Sequence, residues 1–191
     1  MSEPRRIAIF GGTFDPVHLG HLHMAERARE EARLDEVRFL PCRISPHKLG
    51  SAAASGDDRL EMLRLATAGI PWATVDDYEL NGPEPSYSYL TAEYMADHEP
   101  EAEWFWLMGG DQWEALPRWR HPDRLAAVMQ FLVLARGHEK PQPRPGWRMQ
   151  VVAGEHPASS TAIRAGKELS VEGWLSPPVA AYIRKHGLYR H

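Results

Sequence analysis

The chain has 191 residues, enough for one domain with a sizeable core. Its hydrophobic content of 43% and charged content of 25% are those of an ordinary globular protein, and a net charge of −4 argues against non-specific binding to a nucleic-acid backbone. A single cysteine, Cys42, excludes an internal disulfide and fits a reducing compartment. No apolar run approaches the ~20 residues of a membrane span, and Met-Ser-Glu-Pro-Arg-Arg at the start carries no signal-peptide hydrophobic region, so a cytoplasmic location is the expectation.

Residues Ile7 to Phe10 form a short apolar run, as a parallel strand covered on both faces requires. Gly11 and Gly12 then read as a sharp turn that also lets the backbone approach a ligand. Leu19, Leu22, Ala25 and Ala28 open a helix with an apolar stripe. His18 and His21 share one face of that helix. They sit at its N-terminal end, where free N–H groups and the macrodipole favour an anion. Two readings are open: ordinary surface histidines beside a turn, or a cradle for phosphates. The glycine spacing does not fit the Gly-x-Gly-x-x-Gly dinucleotide fingerprint.

Val37 to Pro41 is the second predicted strand, closing a strand–helix–strand unit and pointing to a parallel sheet with ligands at its carboxyl edge. The loop at 42–57 carries Arg43, His47 and Lys48 beyond that edge, either as a solvated basic loop or as a grip on a polyphosphate. Asp57 or Asp58 is the predicted cap of the next helix, which ends at Gly69. A short strand follows at Ala73–Val75, then a turn at Asn81-Gly82-Pro83. Ser86 is the predicted N-cap of a helix through Tyr89, Leu90, Tyr94 and Met95. The hydroxyls of Ser86, Tyr87 and Ser88 serve either that cap or a ligand.

Glu103 to Met108 is the next strand, ending in Gly109-Gly110-Asp111; Asp111 is either a helix cap or a carboxylate for ribose hydroxyls. Trp104 and Trp106 belong to the core by position, whereas Trp113 and Trp119, beyond the Gly-Gly-Asp turn, are site candidates. Met129 to Ala135 is a strand ending in Arg136-Gly137, 138–147 is a proline-rich loop, and Arg148 to Val152 is the last strand. Ser159 to Arg164 starts a helix with hydroxyls in its first turn and an arginine behind them, a second anion-binding helix start. The final helix, Pro177 to His186, has proline in its first turn and Gly187 after it.

The string Gly-Gly-Thr-Phe-Asp-Pro-Val-His-Leu-Gly-His, from Gly11 to His21, resembles the signature of the His-x-Gly-His nucleotidyltransferase superfamily. In its opening it is similar to bacterial nicotinate-nucleotide adenylyltransferases. That resemblance continues through Ser45-Pro46-His47-Lys48, Arg59 with Met62, Pro85 to Ser88, Gly110-Asp111, Trp119, Ser159 to Arg164 and Gly187-Leu188-Tyr189. The chain departs from the family pattern at Ser45, Ser88 and Ala158, where Pro, Thr and Ile are usual.

The resemblance implies an α/β nucleotidyltransferase fold over 1–191: one domain with a Rossmann-like, doubly wound parallel sheet. It implies transfer of the adenylyl group of ATP to nicotinate mononucleotide, giving deamido-NAD and pyrophosphate. His18 and His21 would act on the α- and β-phosphates as donors, with Lys48 and Arg164 as further catalytic cations. Gly12, Thr13, Phe14, Asp111, Ser160, Thr161 and Arg164 would bind ATP. Gly11, His47, Lys48, Tyr87, Ser88, Trp119 and Arg136 would bind the pyridine nucleotide, its ring stacked on Trp119. Mg²⁺ would arrive on the ATP phosphates, so no dense carboxylate cluster is expected. A homo-oligomer is left open. Rival implications are another His-x-Gly-His transferase, acting on nicotinamide mononucleotide or phosphopantetheine, and a non-catalytic nucleotide-binding regulator.

Overall fold

The fold is described from a computed structural model covering residues 3–43, 53–82, 84–135, 141–166 and 173–189. The first half runs β1 (Arg6–Gly12), α1 (Leu19–Ala32), β2 (Glu36–Pro41), α2 (Gly56–Thr67), β3 (Ala73–Val75), α3 (Tyr78–Asn81) and α4 (Ser88–His98). The second half runs β4 (Glu103–Gly109), α5 (Gly110–Ala115), a 3-10 turn at Leu116–Arg118, α6 (Pro122–Val128), β5 (Gln130–Ala135), β6 (Met149–Ala153), α7 (Ser160–Arg164) and α8 (Pro177–His186). The strands form one six-stranded sheet in the order β3-β2-β1-β4-β5-β6. Every neighbouring pair is parallel.

Residues along β1 alternate between two cores. Ala8 and Phe10 pack with Ala25, Ala28 and Ala32 of α1, Met62 and Leu63 of α2, and Val179 of α8. Ile7 and Ile9 face the other way, into Trp104, Trp106, Tyr89 and Met95, with Trp113 and Leu125 beneath α5 and α6. Each fully buried Ile, Leu, Met, Phe or Val side chain contributes about 1.5–3 kcal/mol, so the two faces together hold the sheet. From β1 the chain winds outward through β2 and β3, and from β4 it winds the opposite way through β5 and β6. The crevice where that direction reverses lies at the carboxyl ends of β1 and β4, the expected ligand edge of such a sheet.

Several local expectations are corrected. Gly11 and Gly12 do not turn; they continue β1 and pair with Leu40 and Pro41. Their need is for space, because a Cβ on Gly11 would stand 3.3 Å from the Trp106 ring and one on Gly12 would stand 3.2 Å from the Phe14 ring. The cap of α2 is Ser55, whose hydroxyl accepts the Asp58 N–H, while Asp57 and Asp58 occupy the first turn. Ser86 does not cap α4; that position is held by Tyr87. Ser86 is instead buried, accepting the Arg43 N–H and donating to the Glu79 carbonyl of α3, which joins the end of β2 to the entry of α4.

Candidate active site

The turn after β1 is built by its carbonyls. The Gly12 carbonyl accepts the Cys42 N–H at 2.9 Å. The Thr13 carbonyl accepts Nη1 of Arg59 at 2.7 Å, the Asp15 carbonyl accepts Nη1 of Arg164 at 2.6 Å, and the Pro16 carbonyl accepts the Ser160 hydroxyl at 2.9 Å. Between them Phe14 adopts a left-handed backbone, φ +50°, which bulky residues rarely do outside functional turns. Its ring is 3% exposed, wedged edge-on against Phe10 and His21.

Asp15 anchors the turn. Its buried carboxylate accepts the N–H groups of Ala53 and Ala54, at 2.8 and 3.1 Å, and the Tyr189 hydroxyl at 2.7 Å. Three donors satisfy a buried charge that would otherwise be costly. Burial, and then the adjacent Asp15 carboxylate, push the Tyr189 phenol far above its ordinary range, so Tyr189 stays a neutral donor.

The helix that follows opens on the two histidines. His18 is the N-cap of α1, and the first turn carries no acidic side chain to compete with an anion. The His18 N–H donates to Nδ1 of His21 at 3.2 Å. With that nitrogen accepting, the proton of the neutral His21 ring sits on Nε2, which is thereby a donor. The two rings stack with centroids 3.7 Å apart and 25° between planes. Gly20 makes room for this: a Cβ there would lie 2.9 Å from Nδ1 of His18 and 3.2 Å from Nδ1 of His156. Burial, and secondly His23, hold the His156 imidazole below its ordinary pKa.

The remaining predicted residues fall in three groups. Ser160 and Arg164 of α7 are brought against the β1 turn, but the Ser160 hydroxyl and one Arg164 nitrogen hold its carbonyls; Thr161 lies in the same short helix. Asp111 sits in the first turn of α5, beyond β4 and beside β1 in the sheet, with an oxygen only 2.6 Å from where a Cβ of Gly109 would be. Tyr87 and Trp119, both partly buried, pack on the Trp104–Trp106 core, and the Arg120 guanidinium lies 5.1 Å from the Tyr87 ring. Ser88 is the first residue of α4. His47, Lys48 and Arg136 lie outside the described residues. Among the described residues, no group of three or more His, Cys, Asp or Glu side chains could hold a metal ion.

Trp113 is a correction. It is fully buried, with its indole N–H donated to the Gln142 carbonyl at 2.9 Å, and belongs to the core rather than to the site. Four residues were given no role from the sequence, although Asp15, Arg59 and Tyr189 lie in segments that carry the resemblance. Asp15 and Tyr189 form the anchor, and Arg59 bridges two carbonyls. Glu79, 6% exposed, receives the Thr91 hydroxyl at 2.7 Å; burial and then nearby Asp76 push its carboxyl up to about 7 against that hydrogen bond. For Arg59 the signal was available: it shares the apolar stripe of Met62, Leu63 and Ala66, where an arginine has no solvent to reach.

Comparison with known proteins agrees with this architecture. The family model for cytidylyltransferase-like proteins matches residues 9–166. A relative from Listeria welshimeri bearing the name nicotinate-nucleotide adenylyltransferase is 40% identical over 184 residues, covering 96% of this chain and 97% of its own. A namesake from Methylacidiphilum infernorum is 36% identical over 187 residues, covering 96% and 92%. Among solved structures, a Plasmodium falciparum nicotinic acid mononucleotide adenylyltransferase complexed with NaAD superposes with a TM-score of 0.78 over 97% of both chains, at 18% identity. The Plasmodium enzyme complexed with APC superposes at 0.76 with 17% identity.

Proposed function

The chain belongs to the nicotinate-nucleotide adenylyltransferases within the cytidylyltransferase-like family, and we infer that it transfers the adenylyl group of ATP to nicotinate mononucleotide, giving deamido-NAD and pyrophosphate for NAD biosynthesis. The observation that carries the reading at the level of residues is the stacked His18–His21 pair at the N-terminus of α1, directly after the pinned turn of β1.

The attacking group is a phosphate monoester, mostly dianionic at neutral pH because its second pKa is about 6. It needs no general base. Catalysis therefore consists of aligning attack and departure and of stabilising charge on the α-phosphate and the leaving pyrophosphate. His21 donates through Nε2 to the α- or β-phosphate, and His18 acts beside it. The backbone of Gly12, Thr13 and Phe14 lines the junction between the two nucleotides. Arg164, Ser160 and Thr161 serve the β- and γ-phosphates, and Asp111 serves a ribose. His47 and Lys48 close over the polyphosphate, an assignment resting on the family resemblance alone. Tyr87, Ser88 and Trp119, with Gly11 and Arg136, receive the pyridine nucleotide. Mg²⁺ enters as part of the ATP substrate. The cytoplasm is the proposed location; no described helix is long and apolar enough to cross a membrane.

The test is to incubate the protein with Mg-ATP and, separately, nicotinate mononucleotide, nicotinamide mononucleotide and phosphopantetheine, and to measure pyrophosphate release. Release with nicotinate mononucleotide well above the other acceptors is expected. Preference for either rival acceptor, or release with none, would overturn the substrate assignment.

A further inference from the structure

Arg59 is the one charged residue on the buried side of α2 and is only 2% exposed. Its Nη1 donates both to the Thr13 carbonyl, at 2.7 Å, and to the Cys42 carbonyl, at 2.8 Å. These two groups lie where β1 and β2 part. Gly12 still pairs with Pro41, and the Cys42 N–H still reaches the Gly12 carbonyl; one step further the ladder is replaced by the guanidinium. Among the described residues no carboxylate forms an ion pair with Arg59. The buried carboxylate of the turn, Asp15, is engaged by Ala53, Ala54 and Tyr189 instead. A desolvated guanidinium without a paired anion costs stability, offset in part by its bonds to the two carbonyls.

Peptide geometry says what it serves. A carbonyl and the following N–H point in opposite directions across a planar trans peptide. With the Thr13 carbonyl held on the Arg59 side, the Phe14 N–H points away from α2. We propose that Arg59 is a positioning residue of the transferase site, holding the β1 turn so that its N–H groups face the polyphosphate and placing a buried positive charge behind them. The proposal rests on the adenylyl-transfer reading for its kinetic effect, and on anion binding alone for its electrostatic one.

The bridge and the charge are separable by substitution. Arg59→Lys keeps the charge on a stem too short to bridge the two carbonyls as Nη1 does, whereas Arg59→Gln, shorter still, loses both the bridge and the charge, so the difference between the two variants isolates the charge. Both are compared with wild type by circular dichroism, thermal unfolding, steady-state kinetics and calorimetric titration with inorganic pyrophosphate. The expected result is a kcat about tenfold or more lower in both folded variants, with KM for the pyridine nucleotide little changed. Pyrophosphate affinity is expected to fall about tenfold in Arg59→Gln and to stay near wild type in Arg59→Lys. Should Arg59→Gln fail to fold, Arg59→Lys decides the matter: a lowered kcat in a variant with wild-type thermal unfolding supports the proposal, and a wild-type kcat overturns it. Folded variants with wild-type kcat and wild-type pyrophosphate affinity would overturn the proposal. So would a kcat loss that only follows the unfolded fraction. An inactive wild type that still binds pyrophosphate with the expected variant pattern would fault the reaction and not the role of Arg59.

Discussion

Replacing Gly20 by alanine isolates the geometry of the histidine pair without removing either ring. In most helices Gly→Ala stabilises by up to about 1 kcal/mol. Here the new methyl would stand 2.9 Å from Nδ1 and 3.0 Å from Cε1 of His18, and 3.2 Å from Nδ1 of His156. The His18 ring has little freedom to retreat, since it is 7% exposed and stacked at 3.7 Å on His21. Overpacking of this kind costs about 1–3 kcal/mol, enough to cancel the helix gain or exceed it. For a chain of this length each kcal/mol moves Tm by about 2–4 °C, so a net loss of about 0–2 kcal/mol lowers Tm by at most about 8 °C. The kinetic effect should be larger than the thermal one. A displacement approaching 1 Å at an aligned catalytic group can cost about 10²-fold, so kcat is expected to drop by about tenfold to 10²-fold. KM for ATP should change little, because the loss falls on the transition state. The assay pairs pyrophosphate release with thermal unfolding. A variant with kcat within about twofold of wild type and an unchanged Tm would refute the steric argument and with it the placement of His18.

Other perturbations address the acceptor side and the buried carboxyl. Trp119→Ala is expected to raise KM for nicotinate mononucleotide while leaving KM for ATP in place; a change confined to ATP would contradict the stacking assignment. Glu79 holds its proton in the folded state up to about pH 7, above the ordinary glutamate value. The stability it contributes is therefore full at acid pH and is lost as pH rises through about 7. Glu79→Gln keeps the shape and stays neutral, so its stability relative to wild type should grow by roughly 2 kcal/mol between about pH 5 and pH 8. Denaturant unfolding at the two pH values measures this, and a constant or shrinking difference would show that Glu79 is ionised in the fold.

The parallel sheet was legible because buried strands leave contiguous apolar runs, and Ile7–Phe10, Val37–Pro41 and Glu103–Met108 all fall within strands that pair as expected. The histidine pair was legible from its three-residue spacing, but His18 is the N-cap of α1 and not a residue of its face; the cap and the third residue of a helix also meet, and the two rings stack. What failed to show was what depends on distant partners. A glycine pair reads alike whether it turns the chain or makes room for Trp106 and Phe14. Trp113 and Trp119 stand close in sequence, yet only the three-dimensional course of α5 and the 3-10 turn sends one inward and leaves the other partly exposed. Asp15 and Tyr189 are 174 residues apart, so no local pattern links them. Ser86 has the chemistry of a cap, but the Arg43 N–H and the Glu79 carbonyl claim its hydroxyl.

The central claim is that His18 and His21 both act on the phosphates in the transition state. It is tested most directly by the turnover of His18→Ala and His21→Ala with saturating Mg-ATP and nicotinate mononucleotide. Each variant should remain folded and lose about 10²-fold or more in kcat, the cost of one missing transition-state donor. Near-normal turnover in either variant would contradict it.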